Sequence, residues 1–183
     1  MVDGEGDRAI TVIGERLTPS LDDDLPWEAL GECDGLFVTA ADAPLLKACR
    51  TAAVLAATPR VRLPVLQEAG VCLDALIGSG LDPGERVEPE QLTPAPHTLI
   101  RTEGAAGGLS LPGGRYDPAP VPGPLMESYG CGDRFAAGVV AGLAAGWSLE
   151  KAIALGAQCG AACATRFGPY GTSTETGHGR LGE

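Results

Sequence analysis

The sequence predicts an α/β fold whose mainly parallel sheet is covered by helices on both faces. Three observations predict it. Short apolar runs alternate with helical segments along the chain, the pattern of strands joined by crossover helices. Two Ala- and Gly-rich helical segments follow residue 130. The composition, 183 residues with 44% hydrophobic, 27 Gly and 15 Pro, supports one sizeable core rather than two domains.

Taken in order, Ala9–Gly14 reads as a strand, and Leu17–Asp24 as a loop whose acidic run Asp22-Asp23-Asp24 is a solvated turn before a short helix near Trp27. Gly35–Thr39 is the second strand. Pro44 opens a helix through Arg50, because proline suits a first helical turn. Ala53–Ala56 is the third strand, Pro64–Ala69 a short helix closed by Gly70, and Ala75–Gly78 the fourth strand. Thr98–Arg101 and Gly108–Leu111 follow, the latter turning at Pro112-Gly113-Gly114 into a hairpin with Arg115 and Tyr116. Phe135–Ala145 is the first closing helix. Ser148 caps the second, with Glu150 in its first turn, and it runs to Thr165. Gly138, Gly142, Gly156 and Gly160 suit close packing of these helices on the sheet or on a ligand. The Gly-, Ser- and Thr-rich segment 172–183 is expected to be a disordered tail, leaving 1–171 as the folded domain.

A net charge of −11 with 13 scattered basic residues excludes nonspecific nucleic-acid binding, which needs clustered Lys and Arg. The apolar runs are too short and interrupted to span a bilayer, and Met1-Val-Asp-Gly-Glu-Gly6 is acidic rather than signal-like, so a cytoplasmic location is expected. The six cysteines lack Cys-x-x-Cys spacing and read as reduced core residues. Cys159 and Cys163 share a helix face, but His97 and His178 lie far away in loop-like sequence, which argues against a metal site.

The densest chemical signal is Ser128-Tyr-Gly-Cys-Gly-Asp-Arg-Phe-Ala-Ala-Gly138. Gly130 and Gly132 allow a tight turn whose N–H groups point at one spot, and the helix that follows adds partial positive charge: an anion site. Asp133 beside such a site repels a bound phosphate, an arrangement that makes sense if its task is to take a proton from an attacking hydroxyl. Read alone, the tetrapeptide is better explained by Asp133 capping a helix. Cys131, at a helix N-terminus, is either an oxidation-sensitive thiol or a small buried filler.

Gly130-Cys131-Gly132-Asp133 followed by Phe135-Ala-Ala-Gly138 resembles the Gly-Ala-Gly-Asp signature of the PfkB, or ribokinase-like, carbohydrate kinases, with Cys131 where alanine is usual. Leu99-Ile-Arg-Thr-Glu-Gly104 with Gly107-Gly108 resembles the family's strand and Thr-x-Gly turn at the ATP phosphates. Ala152–Gly168 is similar to its last long helix and adenine-lining turn. The resemblance spans Ile10 to Tyr170 and corresponds to the second half of a member. It implies a three-layer α/β/α sandwich lacking the family's N-terminal third, whose sugar-binding residues have no counterpart before Ile10. A partial sheet of that kind would leave an apolar edge, to be covered by a longer chain or a homodimer.

By the same resemblance the function is transfer of the γ-phosphoryl group of ATP, with Mg2+, to a sugar or nucleoside hydroxyl. Asp133 would be the base, with the N–H groups of Gly130, Cys131 and Gly132 stabilising the transferring group. Thr102 and Gly104 would contact phosphates or ribose, with Glu103 facing solvent. Adenine would lie between the Thr102–Gly107 turn and Ala157, Gly160 and Ala161, though simple helix packing explains those three equally well. The family's Asn-x-x-Glu, which organises magnesium waters, falls at Ser79-Gly-Leu-Asp82. There Asp82 either holds a metal-bound water or begins a plain Asp-Pro-Gly turn. Glu127-Ser128 replaces the usual Asp-Thr, and Arg134 contacts either a substrate charge or solvent. Two other readings remain at this level: a noncatalytic nucleotide-binding module, and an interaction subunit whose glycine turn is only a cap.

Overall fold

The computed structural model describes Gly14 and residues 17–166, so the expected strand at Ala9–Gly14 and the tail at 172–183 lie outside its scope. Six strands form one sheet in sequential order: β1 (Gly35–Val38), β2 (Val54–Ala57), β3 (Ala75–Ser79), β4 (Leu99–Thr102), β5 (Gly108–Leu111) and β6 (Gly114–Tyr116). Strands β1 to β4 are parallel, and β5 and β6 turn back as an antiparallel hairpin. Among the described residues β1 has a neighbour on one side only.

Helices α1 (Ala43–Ala48) and α2 (Leu63–Ala69) cross over between the first three strands, whereas α3 (Cys131–Ala144) and α4 (Leu149–Cys163) follow the hairpin. Local chemistry explains their ends. Asp42 caps α1 by accepting from the Leu45 amide at 2.8 Å. Gly70 closes α2 at φ +59°, a left-handed conformation that side chains disfavour. Ser148 accepts from the Lys151 amide to start α4. The segment near Trp27 is a 3-10 helix, Trp27–Glu32.

The strands are apolar on both sides because both sides are buried. Leu55, Ala57, Leu76 and Leu99 pack with Leu45, Leu46 and Leu66 of α1 and α2. Their chain neighbours Ala56, Ala75, Ile77 and Ile100 pack with Phe135, Val139 and Val140 of α3 and Ile153 of α4. The period-two alternation therefore assigns each strand residue to one of two cores, which makes the three-layer sandwich.

The boundary of α3 differs from expectation. It starts at Cys131, not Phe135, because Gly130 at φ +79° turns the chain left-handed and lets the whole signature enter the first helical turn. The cysteines differ as well: Cys49 and Cys163 are buried, but Cys33, Cys72, Cys131 and Cys159 are half-buried. Among the described residues no helix is long and apolar enough to cross a membrane.

Candidate active site

In a parallel sheet all carboxyl ends lie along one rim, and ligands bind there. Thr58, Ser79 and Thr102, which end or follow β2, β3 and β4, reach this rim together with the N-terminus of α3. Two cavities open side by side. The first, about 190 Å³, is lined by Thr58, Arg60, Gly78, Ser79, Glu85 and Thr102, and across from them by Tyr129, Gly130, Gly132 and Asp133. The second, about 380 Å³, is mostly apolar and includes Tyr116, Pro118, Val121, Leu125 and Phe135. Thr102, Ser128 and Gly132 line both, so the glycine turn is the wall between them.

The larger cavity collects all six residues expected to contact nucleotide: Thr102, Gly104, Gly107, Ala157, Gly160 and Ala161. Distant in sequence, they meet because β4, the β4–β5 turn and α4 converge on one side of α3. Cys131 also lines this cavity. Its floor is stiff, since the Tyr116 ring stacks on Phe135 at 5.9 Å between centroids and the Tyr116 hydroxyl donates to the Arg101 carbonyl. Burial pushes the Tyr116 hydroxyl well above its ordinary range, so it stays a neutral donor.

The smaller cavity holds Asp133, exposed in the first turn of α3. The helix supplies N–H groups at that turn, but they are not equivalent. The Cys131 amide donates to the Ser128 carbonyl at 3.3 Å and so closes the turn, whereas the Gly132 and Asp133 amides have no intrahelical partner. Of the three amides expected to cradle an anion, Cys131 is thus engaged in the loop itself. Arg134 is half-buried rather than on an open helix face.

Opposite Asp133 stands an ion pair that sequence reasoning did not single out. Arg60 Nε donates to Glu85 Oε1 at 2.6 Å, and the Ser79 amide donates to Glu85 Oε2 at 2.8 Å. The Glu85 side chain is 7% exposed while that of Arg60 is 60% exposed, so the carboxylate is the buried anchor and the guanidinium the accessible end. The Glu85 hydrogen bond raises the Arg60 pKa, with Asp133 and Asp82 adding to it through space. The loop presenting Arg60 passes through Arg62 at φ +79°, a conformation costly for a residue with a side chain.

Asp82 does not join this group. Its carboxylate accepts from the Gly84 amide at 2.8 Å and caps the 3-10 turn Pro83–Glu85, because Asp-Pro-Gly satisfies its own backbone locally. Ser79 Oγ likewise accepts from the Leu81 and Asp82 amides. Among the described residues no group of three His, Cys, Asp or Glu side chains could hold a metal ion. A magnesium ion here would therefore rest on at most one or two of these carboxylates, directly or through water, with its remaining ligands from outside these side chains. Glu103, expected to face solvent, instead pairs with Arg115 across the hairpin at 2.7 Å, and that hydrogen bond holds its carboxyl below the ordinary range.

Comparison with known proteins adds a family and a fold. The family model for pfkB family carbohydrate kinases matches residues 87–176. No curated protein matches the chain. Among solved structures, ribokinase from Thermotoga maritima is similar with a TM-score of 0.64 at 18% identity, over 80% of this chain and 55% of that one. A nucleoside kinase from Methanocaldococcus jannaschii gives 0.59 at 17% identity, over 78% and 56%. Adenosine kinase from Sinorhizobium meliloti gives 0.60 at 16%, over 80% and 53%. At these identities the likeness is one of fold, and the chain spans about half the length of each relative.

Proposed function

We propose, from the match of residues 87–176 to the family model for pfkB family carbohydrate kinases, that the chain carries the nucleotide-binding and phosphoryl-transfer half of an ATP-dependent kinase acting on a sugar or nucleoside hydroxyl. One observation carries this reading: the apolar cavity and the Asp133 cavity share the Ser128–Gly132 turn as a common wall. Adenine then occupies one side of that wall and the reacting groups the other.

ATP, the family's general donor with Mg2+, supplies the phosphoryl group when bound. Around it, the apolar walls of Val121, Leu125, Phe135 and Ala161 exclude water from the base. The Gly132 and Asp133 amides and the positive end of α3 face the negative charge of the transferring group. Asp133 takes the proton from the acceptor hydroxyl, and its exposed position gives that hydroxyl access. Arg60, anchored by Glu85, offsets the charge of Asp133 across the cavity and so reduces its repulsion of phosphate.

A second reading, a nucleotide-binding module without catalysis, is favoured by Asp82 and Ser79 being committed to local turns. ADP release from Mg-ATP across a panel of sugars and nucleosides separates the two, measured beside nucleotide affinity for the chain and its Asp133→Asn variant. The kinase reading expects turnover that falls about 10²–10⁴-fold in the variant while affinity survives. Binding without Asp133-dependent turnover would establish the module, and absence of nucleotide binding would overturn both.

A further inference from the structure

At the opposite end of β3 from the cavities, three side chains meet that the kinase reading does not use. The Cys72 sulfur lies 3.3 Å from His97 Nε2. His97 Nδ1 lies 3.4 Å from Asp74 Oδ1. The arrangement is held from several sides: the His97 amide donates to the Leu73 carbonyl at 2.8 Å, which fixes the histidine segment against the entry to β3. Asp74 Oδ2 accepts from the Leu55 amide at 2.7 Å and from Arg50 Nη1 at 2.6 Å. Arg50 Nη1 also donates to the Cys72 carbonyl at 3.0 Å. The charged or titratable groups facing the sulfur are therefore His97 directly, Asp74 behind it and Arg50 beside its backbone.

We propose that the Cys72–His97–Asp74 arrangement makes Cys72 a modification site, a thiol that exchanges with small-molecule disulfides. A nucleophile, a base within reach of it and a carboxylate behind the base are the parts such chemistry needs. The carboxylate favours the proton on Nδ1 and leaves Nε2 as the acceptor facing the thiol. The Cys72 sulfur attacks one sulfur of the disulfide, a new S–S bond forms and the reagent's S–S bond breaks. The thiol proton passes to His97 Nε2 and then to the departing sulfur, which leaves as a thiol. The site is accessible: Cys72 is half-buried and the His97 side chain is 69% exposed. Cys49, by contrast, is buried, and burial pushes its thiol up, away from reaction.

Exposure of the folded full chain to glutathione disulfide at neutral pH, followed by peptide mapping, tests this. Cys72 is expected to form the mixed disulfide about tenfold faster than the half-buried Cys33 and Cys159, an advantage that disappears in urea. His97→Gln, at an exposed position, is expected to lower the Cys72 rate about tenfold without changing the melting temperature. Equal rates at the three cysteines, or a His97→Gln rate equal to that of the parent chain, would overturn the proposal. No nucleotide takes part, so this result is independent of the kinase assay.

Discussion

At the residue scale, the Arg60–Glu85 pair combines a structural and a chemical role. Glu85 is a carboxylate nearly removed from water and held by two donors, the Arg60 guanidinium and the Ser79 amide. Removing one donor leaves half of its hydrogen-bonding need unmet. Arg60→Ala is expected to lower stability by about 1–2 kcal/mol, a modest figure because the guanidinium is itself well solvated. The double variant Arg60→Ala/Glu85→Gln is expected to recover part of the loss, since an unpaired neutral amide costs less to bury than an unpaired charge. Thermal denaturation of both checks this, and a double variant no more stable than the single would exclude the buried charge as the cause. Arg60 had a sequence signal, since Thr58-Pro59-Arg60 directly follows an apolar strand at the end where α/β sites form. Glu85 had none. It is one acid in an acid-rich stretch, and only the turn after Asp82 carries it under Arg60.

At the element scale, α3 and α4 approach closely because glycines face each other. A Cβ on Gly156 would lie 2.7 Å from the Phe135 carbonyl oxygen and 2.7 Å from a Val139 methyl. One on Gly138 would lie 2.8 Å from the Gly156 Cα. Backbone atoms cannot yield as side-chain tips do, so the helices would have to separate. Gly156→Ala is expected to destabilise by about 1–3 kcal/mol, even though alanine favours helix by up to about 1 kcal/mol. Gly160→Ala behaves differently, because its Cβ would meet the Cys131 carbonyl at 3.2 Å, a smaller intrusion beside the apolar cavity. It is expected to leave the unfolding midpoint nearly unchanged and to weaken nucleotide binding; denaturant melts and calorimetry check the two halves. The small-residue pattern was legible in the sequence, but whether a given glycine served a partner helix or a ligand was not. Gly138 and Gly156 serve the helix contact, and Gly160 lines the cavity.

At the scale of the whole molecule, Asp74 ties the amino end of the sheet together by joining the Leu55 amide of β2 to the Arg50 guanidinium after α1. Burial pushes its carboxyl up, but the Leu55 hydrogen bond and Arg50 outweigh it and hold it below the ordinary range. The folded state therefore binds fewer protons than the unfolded chain around an ordinary aspartate value of about 3.9. Its contribution is present above that pH and is lost as pH falls through the depressed folded value. Asp74→Asn is expected to be less stable at pH 7 and to lose less stability on acidification, which urea melts at a series of pH values would show. A variant with the parent's acid dependence would remove Asp74 from this role.

The helix caps at Ser148 and Gly70 and the signature around Asp133 were legible in the sequence because each depends on residues adjacent or one helical turn apart, and the alternation of apolar runs with helical segments implied the layers and the parallel strands. The continuous apolar run Val54–Ala57 marked a strand buried on both faces, and the structure placed Leu55 and Ala57 in one core and Ala56 in the other. Which residues share a wall emerged with the fold. It committed one Asp82 oxygen to a hydrogen bond two residues away, brought Arg60 and Glu85 together from 25 residues apart, and set Cys72 against His97 at the same separation. Parallel strands explain the difference: they collect chain segments far apart in sequence along one rim of the sheet, and no local pattern records which side chains meet there.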